Sequence, residues 1–291
     1  MDQVIDTNYL RTPADPTKLK RPDLEQLLQS AAPEDRFILT DTAVLETLKN
    51  PQWESTARNS FAIISRFPTK IWTSTEPSKL MNAELDSGKD TAEVIDAHLT
   101  TGFRALLAEI ASGNDGQAIS TVRNQILQAQ NDLAAQQQNH PRNLGSLKAV
   151  CGAVKQSVDL KAYRKLGDDY QRRQFRLRYA KTLAQMSTKG VAEEEGKGQD
   201  VGNALAAGRG ATLRLQIGFF LLGFKWAVNN GLDSLPDTKA TNELMDLAHV
   251  IIATYCDGVL TEESSVEEMR QDILDALDAE PLQLPTPPTA S

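Results

Sequence analysis

Cysteine is almost missing from this chain: Cys151 and Cys256 are the only two in 291 residues. That is too few for a disulfide framework, and the two read as buried, reduced thiols of a cytoplasmic protein. With three histidines besides, the chain is also poor in the ligands of a Cys/His zinc site. Long apolar runs are lacking too. The longest, Ile217 to Val228, is broken by Gly218, Gly223 and Lys225, so it reads as a buried helix and not as a membrane span. The opening MDQVIDTNYL has neither the basic start nor the apolar run of a signal peptide. Cations are in deficit, 31 Lys and Arg against 39 Asp and Glu, and a net charge of −8 argues against indiscriminate attraction to nucleic acid.

What the chain does have is ordinary globular material. Hydrophobic residues make up 40% and charged residues 24%, so a core can form without metal or disulfide. Strand signals lie at its two ends. Gln3 to Ile5 is a short apolar opening into Asp6, Arg36 to Leu39 a second strand, and Thr69 to Thr73 a third. Gly258 to Thr261 is a fourth, between helical patterns at Asn242 to Cys256 and Ser265 to Leu277. Helices are expected from Asp23, after a cap at Thr40 or Asp41, over Pro51 to Arg66 and over Glu76 to Leu85, with a loop at Arg11 to Arg21. From about Asp90 to Thr238 only helical patterns remain: a Gln-rich stretch, a basic stretch, a glycine- and charge-rich break at Val191 to Gly210, and an apolar helix. The tail from Pro281, with four prolines, reads as disordered.

Strand–helix units flanking a helical middle imply one α/β core with a parallel sheet, residues 1–90 with 239–280, a helical insertion at 91–238 and a tail at 281–291. In such sheets ligands bind beyond the carboxyl ends of the strands, so acids near those ends draw attention. Asp6 follows the first strand, and Glu46 is expected one turn into the helix after the second. Asp246 is expected to begin the apolar helix, and Asp257 and Glu263 bracket GVLT. Hard divalent cations take such carboxylate oxygens, and two-metal or one-metal hydrolysis then needs no Ser, Cys or His nucleophile. Each acid alone has an ordinary alternative: Asp-Thr-Asn is a good turn, Glu46 a solvated helix residue, Asp246 an acid favoured by the helix dipole. His249 and Cys256 read as packed core residues. It is the ordered set of acids that carries the argument.

That set resembles the PIN-like (PilT N-terminus) family of metal-dependent nucleases, which opens with a strand and Asp-Thr-Asn. Here the words are VIDTNYLR at Val4 to Arg11, ILTDTAVLETLKN in the next unit, and DLAHVIIATYCDGVLTEES from Asp246. The resemblance covers roughly the first ninety and last fifty residues and implies a three-layer α/β fold. It implies Mg or Mn held by Asp6, Glu46, Asp246 and Glu263, with Asp257 as a possible further ligand and Asn8 and Thr261 in support. Glu263 stands where the family has Asp, two residues after Thr261. The implied activity is phosphodiester hydrolysis, in RNA. The alternatives are a non-catalytic interaction module on the same fold, and a toxin-like effector ribonuclease held by an inhibitory protein partner. A second polyanion contact is suggested by Leu160 to Thr182, with eight Lys or Arg against two acids and Tyr163, Tyr170, Phe175 and Tyr179 interleaved. Arg172, Arg173, Arg176 and Arg178 would hold phosphates there, with Arg209 and Arg214 adjoining, whereas helical spacing alone explains the aromatics as core.

Overall fold

Residues 1–10, 23–40, 43–44, 53–113, 121, 124, 140–229 and 237–282 are described by the structure, a computed structural model. The loop at Arg11 to Arg21, Glu46, Asp41 and nearly all of the Gln-rich stretch lie outside the described residues. Among the described residues four short strands form one sheet: β1 (Asp2–Ile5), β2 (Arg36–Leu39), β3 (Ile71–Thr73) and β4 (Gly258–Leu260). Every pairing is parallel and the order is β3-β2-β1-β4. The chain is α/β, and its first and last strands are neighbours. Helices are α1 (Thr7–Leu10), α2 (Leu24–Ser30), α3 (Trp53–Phe61), α4 (Pro77–Ser87), α5 (Ala97–Ser112), α6 (His140–Ser157), α7 (Leu160–Arg164), α8 (Asp169–Glu194), α9 (Gln199–Ala207), α10 (Ala211–Val228), α11 (Asp237–Ala253) and α12 (Ser264–Asp278).

The chain divides into two compact units. Unit 1 is Met1–Ala83, Thr91–Leu144 and Asp237–Arg270; unit 2 is Glu84–Asp90, Gly145–Pro236 and Gln271–Ser291. In unit 1 the strand register sets two faces, because alternate side chains point to opposite sides. Ile5, Phe37, Leu39 and Ile71 lie on one face and pack with Leu24 and Leu28 of α2, Phe61 of α3, and Phe103, Leu106 and Leu107 of α5. The rings of Phe61 and Phe103 meet edge to face at 5.2 Å. Val4 and Ile38 occupy the other face, both 0% exposed, and α11 packs against β1. Full burial of each such aliphatic side chain contributes about 1.5–3 kcal/mol. Sequence patterning assigned α5 to the insertion; Phe103, Leu106 and Leu107 make it part of the sheet's own core instead. The outer edge of β3 is covered, since Thr75 N donates to Val94 O at 2.8 Å and Asp96 N to Thr73 O at 2.9 Å.

Unit 2 is helical. α10 packs on α8, and α8 on α9. Phe224 of α10 sits among the rings of Tyr163, Phe175 and Tyr179 at 5.0–6.3 Å, so three of the four aromatics of the basic stretch are core. The fourth, Tyr170, is exposed. By length and composition α10 could cross a membrane, yet 72% of it is buried within the protein. The break expected at Val191 to Gly210 is mostly helix: α8 runs to Glu194 and α9 begins at Gln199. What the glycines there provide is close approach. A Cβ on Gly202 would stand 3.1 Å from the Lys189 backbone. The tail's first residues are held as well, with Leu282 N donating to Thr182 Oγ1 at 2.8 Å.

The start of α10 shows how a helix end is satisfied inside the protein. Its N-cap is Gly210, which has no side chain to accept from the first free N–H groups. Glu84 of α4, 0% exposed, does so: it accepts from Ala211 N at 2.7 Å, Thr212 N at 2.8 Å and Thr212 Oγ1 at 2.7 Å. A carboxylate here also meets the positive end of the helix dipole. A Cβ on Gly210 would collide with the Glu84 carboxylate. Glu84→Ala leaves three buried donors unsatisfied, at about 1–3 kcal/mol each before relaxation. We therefore expect Glu84→Ala to lower stability by about 3 kcal/mol or more in urea unfolding, and Gly210→Ala to lower it too. A loss under about 0.5 kcal/mol in Glu84→Ala would show that water replaces the carboxylate.

Candidate site at the carboxyl edge of the sheet

Asp6, Thr40, Ser74 and Thr261 are each the first residue beyond a strand. The pairings Ile5 with Leu39, Leu39 with Thr73, and Ile5 with Leu260 put the four into one row across the sheet. The backbone ladder continues to that row, with Asp6 N donating to Leu260 O at 3.0 Å and Ser74 N to Leu39 O at 3.1 Å. Alternation along each strand gives the four side chains the face that carries Val4 and Ile38. All four are polar, directly after strands that end, in β1, β2 and β3, on a buried residue. The order β3-β2-β1-β4 changes direction at β1, so Asp6 and Thr261 flank the switch point, where open parallel sheets leave a crevice.

The two ends of the chain are joined there by side chains. Thr261 Oγ1 donates to Asp6 Oδ2 at 2.7 Å, and Thr7 Oγ1 donates to Asp6 Oδ1 at 3.2 Å. Thr261 Oγ1 in turn accepts from Glu263 N at 3.0 Å, while Asn8 Oδ1 accepts from Glu262 N at 3.2 Å. The half-buried Asp6 carboxylate thus has two hydroxyl donors, and among the described residues no Lys or Arg forms an ion pair with it. Among the described residues, three cationic groups stand at the opposite edge: the Met1 amino group on Asp35 at 2.8 Å, Arg36 on Asp2, and Arg270 on the carbonyls of Ala253 and Cys256.

Thr40 makes a second link. Its Oγ1 accepts from Ala43 N at 3.1 Å, and its carbonyl accepts from Val44 N at 3.1 Å, the pattern of a helix N-cap. The same Oγ1 is hydrogen-bonded to Nδ1 of His249 on α11, and both residues are buried. No local pattern signals this pairing, because the partners are 209 positions apart. Asp246 lies three residues before His249, on the same side of α11. α11 leads directly into β4 and runs against the strands, so Asp246 stands about 4.5 Å further toward the carboxyl edge than His249. It is in mid-helix, nine residues after Asp237, and not at the helix start that the sequence pattern suggested. Ser74, also missed, is 0% exposed, and its hydroxyl has no hydrogen-bond partner among the described residues.

The remaining expected site residues fall in different places. Glu263 enters the junction through its backbone, and its side chain is exposed. Asp257 is at the amino-terminal edge, where its Oδ2 accepts from Asp2 N at 2.7 Å and its own N donates to Asp2 O at 2.8 Å. At about 3.3 Å per residue, the length of β4 separates it from Asp6 by roughly 10 Å or more, too far to share an ion. Among the described residues no three His, Cys, Asp or Glu side chains group closely enough to hold a metal. The donors at the carboxyl edge, a carboxylate without a cation and several hydroxyls, are of the hard-oxygen kind that suits Mg²⁺ or Mn²⁺.

In unit 2 the four arginines expected to hold phosphates meet the chain's own acceptors. Arg173 binds Asp272 at 2.8 Å and Asp275 at 2.6 Å, and Arg176 binds Asp272. Arg172 pairs with Asp169 and donates to Leu166 O, and Arg178 donates to Glu280 O at 3.0 Å. Arg172, Arg173 and Arg176 keep about a third of their side chains exposed, 30–33%. Arg209 pairs with Asp278, and Arg214 is buried against the Arg209 carbonyl.

Cys256 is the core residue it was expected to be. Burial, with Asp2 nearby, pushes its thiol from 9.0 up to about 12, so it is no nucleophile at neutral pH. The folded state holds the neutral thiol, and the unfolded state ionises near 9, so stability is present below that pH and lost as pH rises toward 12. Relative to Cys256→Ala, the wild type should lose stability between about pH 9 and pH 11 at up to about 1.4 kcal/mol per pH unit. Parallel stability–pH curves for the two proteins would refute this. In comparisons with known proteins the chain matches no family model, no curated protein and no solved structure.

Proposed function

We propose that the carboxyl edge of unit 1 binds Mg²⁺ or Mn²⁺ and hydrolyses phosphodiester bonds, with RNA as the substrate class. The observation that carries this reading is the Asp6–Thr261 junction, in which Asp-Thr-Asn and Leu-Thr-Glu-Glu interlock at the switch point of a parallel sheet. The choice of RNA rests on the resemblance to PIN-like nucleases alone.

Asp6 is the ligand whose surroundings support this role, Asp246 is added by its place on α11, and Glu46 and Glu263 complete the set by resemblance. A divalent cation held there would activate water and offset charge building on the phosphate. The hydroxyls of Thr7 and Thr261 fix the orientation of the Asp6 carboxylate, each occupying one oxygen and leaving further lone pairs. Asn8 and Thr261 hold the backbone after β4 against α1, which keeps the two ends of the chain in register at the reacting edge. Asp6 has no cationic side-chain partner among the described residues, so a cation held there would relieve the repulsion of a phosphate by this edge.

A non-catalytic module on the same fold is the competing reading. In its favour is Glu263, which enters the junction through its backbone with its side chain exposed. Titration calorimetry with Mn²⁺ and cleavage of mixed-sequence RNA with and without chelator separate the two. We expect Mn²⁺ binding and metal-dependent cleavage by the wild type, and a fall of at least about a hundredfold in rate for Asp6→Asn and Asp246→Asn with the fold intact. A wild type that binds Mn²⁺ weakly and leaves RNA uncut would favour the non-catalytic module.

A further inference from the structure

The row of polar residues at the carboxyl edge belongs to the sheet, whereas Asp246 belongs to a helix. Two acids on separate elements can share an ion only if something fixes the elements relative to each other at that level. Apolar packing between α11 and β1 supplies most of the attraction, but it is non-directional and tolerates sliding. A buried hydrogen bond does not tolerate it, because losing it leaves polar groups unsatisfied. Of the hydrogen bonds between described residues, one between buried side chains joins α11 to the row: His249 Nδ1 with Thr40 Oγ1.

We infer that His249 is a positioning residue, and that its contact with Thr40 fixes Asp246 over Asp6. The inference rests on the metal-site reading above. Thr40 is the register neighbour of Asp6 across the β1–β2 pairing, so its hydroxyl is a reference point about one strand spacing, 4.8 Å, from the carboxylate's own strand. His249 is clamped to that point, and Asp246 follows one helical turn above. The Thr40 hydroxyl is itself held, because it accepts from Ala43 N while its carbonyl accepts from Val44 N. One hydroxyl therefore ties together β2, the turn of helix that follows it, and α11. Such outer contacts orient ligands without touching the ion, and their loss commonly weakens metal affinity about ten- to a hundredfold.

Paired variants separate positioning from mere packing. Asparagine carries its amide where histidine carries Nδ1, so His249→Asn can keep the contact, whereas His249→Phe fills the space without it. Thr40→Ser keeps the hydroxyl, and Thr40→Val is its apolar isostere. Mn²⁺ affinity is read by calorimetry, and exchange of the Ala43 and Val44 amides by hydrogen–deuterium exchange, each on the full chain. We expect Thr40→Val and His249→Phe to weaken Mn²⁺ binding about tenfold or more, with Thr40→Ser and His249→Asn within about threefold of the wild type. Amide exchange at Ala43 and Val44 should quicken in Thr40→Val and stay slow in Thr40→Ser. Should His249→Phe fail to fold, the Thr40 pair carries the test. Equal Mn²⁺ affinity for Thr40→Val and Thr40→Ser in a wild-type background that binds Mn²⁺ overturns the inference alone. A wild type that takes up no Mn²⁺ overturns the metal-site reading, and this inference with it.

Discussion

Unit 1 depends on the pairing of β1 with β4. β1 is a central strand, paired on one side with β2 and on the other with β4. The second of these pairings brings together residues 255 positions apart, at Asp6 and Thr261. Closing so long a segment is less costly than it looks, because the entropic cost grows only with the logarithm of length. In return the pairing completes the ladder on both sides of β1 and creates the switch point. Without it Asp6 would be an acid at the end of an edge strand, with neither Thr261 nor Asn8 engaged.

A second regularity is the separation of charge along the strands. At the amino-terminal edge acids and cations are matched: Met1 with Asp35, Arg36 with Asp2, and Arg270 with carbonyls. At the carboxyl edge the Asp6 carboxylate accepts hydrogen bonds from the hydroxyls of Thr7 and Thr261. Unit 2 follows the same logic of internal matching, with Arg173 and Arg176 on Asp272, Arg209 on Asp278, and Glu84 on the start of α10. Arginines of a cationic stretch are thus partly engaged by acids within the same unit. The partners of α8 lie about a hundred residues downstream, on α12.

What could be read from the sequence was whatever is local or carried by a motif. The four strands and the parallel sheet followed from short apolar runs, and Asp6, Asn8 and Thr261 from the words around them; the structure brings these three to one junction. Asp257 was grouped with them because it flanks the same strand. An acid before a parallel strand and an acid after it lie at opposite edges, and the hydrogen bonds of Asp257 to Asp2 make that concrete. The role of α5 was illegible because an apolar stripe does not say which surface it covers. The Thr40–His249 and Glu84–Ala211 contacts were illegible for a related reason: a single polar residue has no periodicity, and its partner can be anywhere in the chain.

The 255-position gap between Asp6 and Thr261 also has a consequence in time. Ribosomes add roughly 5–20 residues per second, so β1 exists for roughly 13–50 seconds before β4 is made. Through that interval the side of β1 destined for β4 is an open strand edge, with Val4 and Ile5 beside it, the kind of surface on which nascent chains mispair. Its neighbour β2 arrives early and closes only the other side. The acid at the end of β1 thus spends its first moments as a solubilising charge on an exposed edge, and meets Thr261 only once β4 has been made.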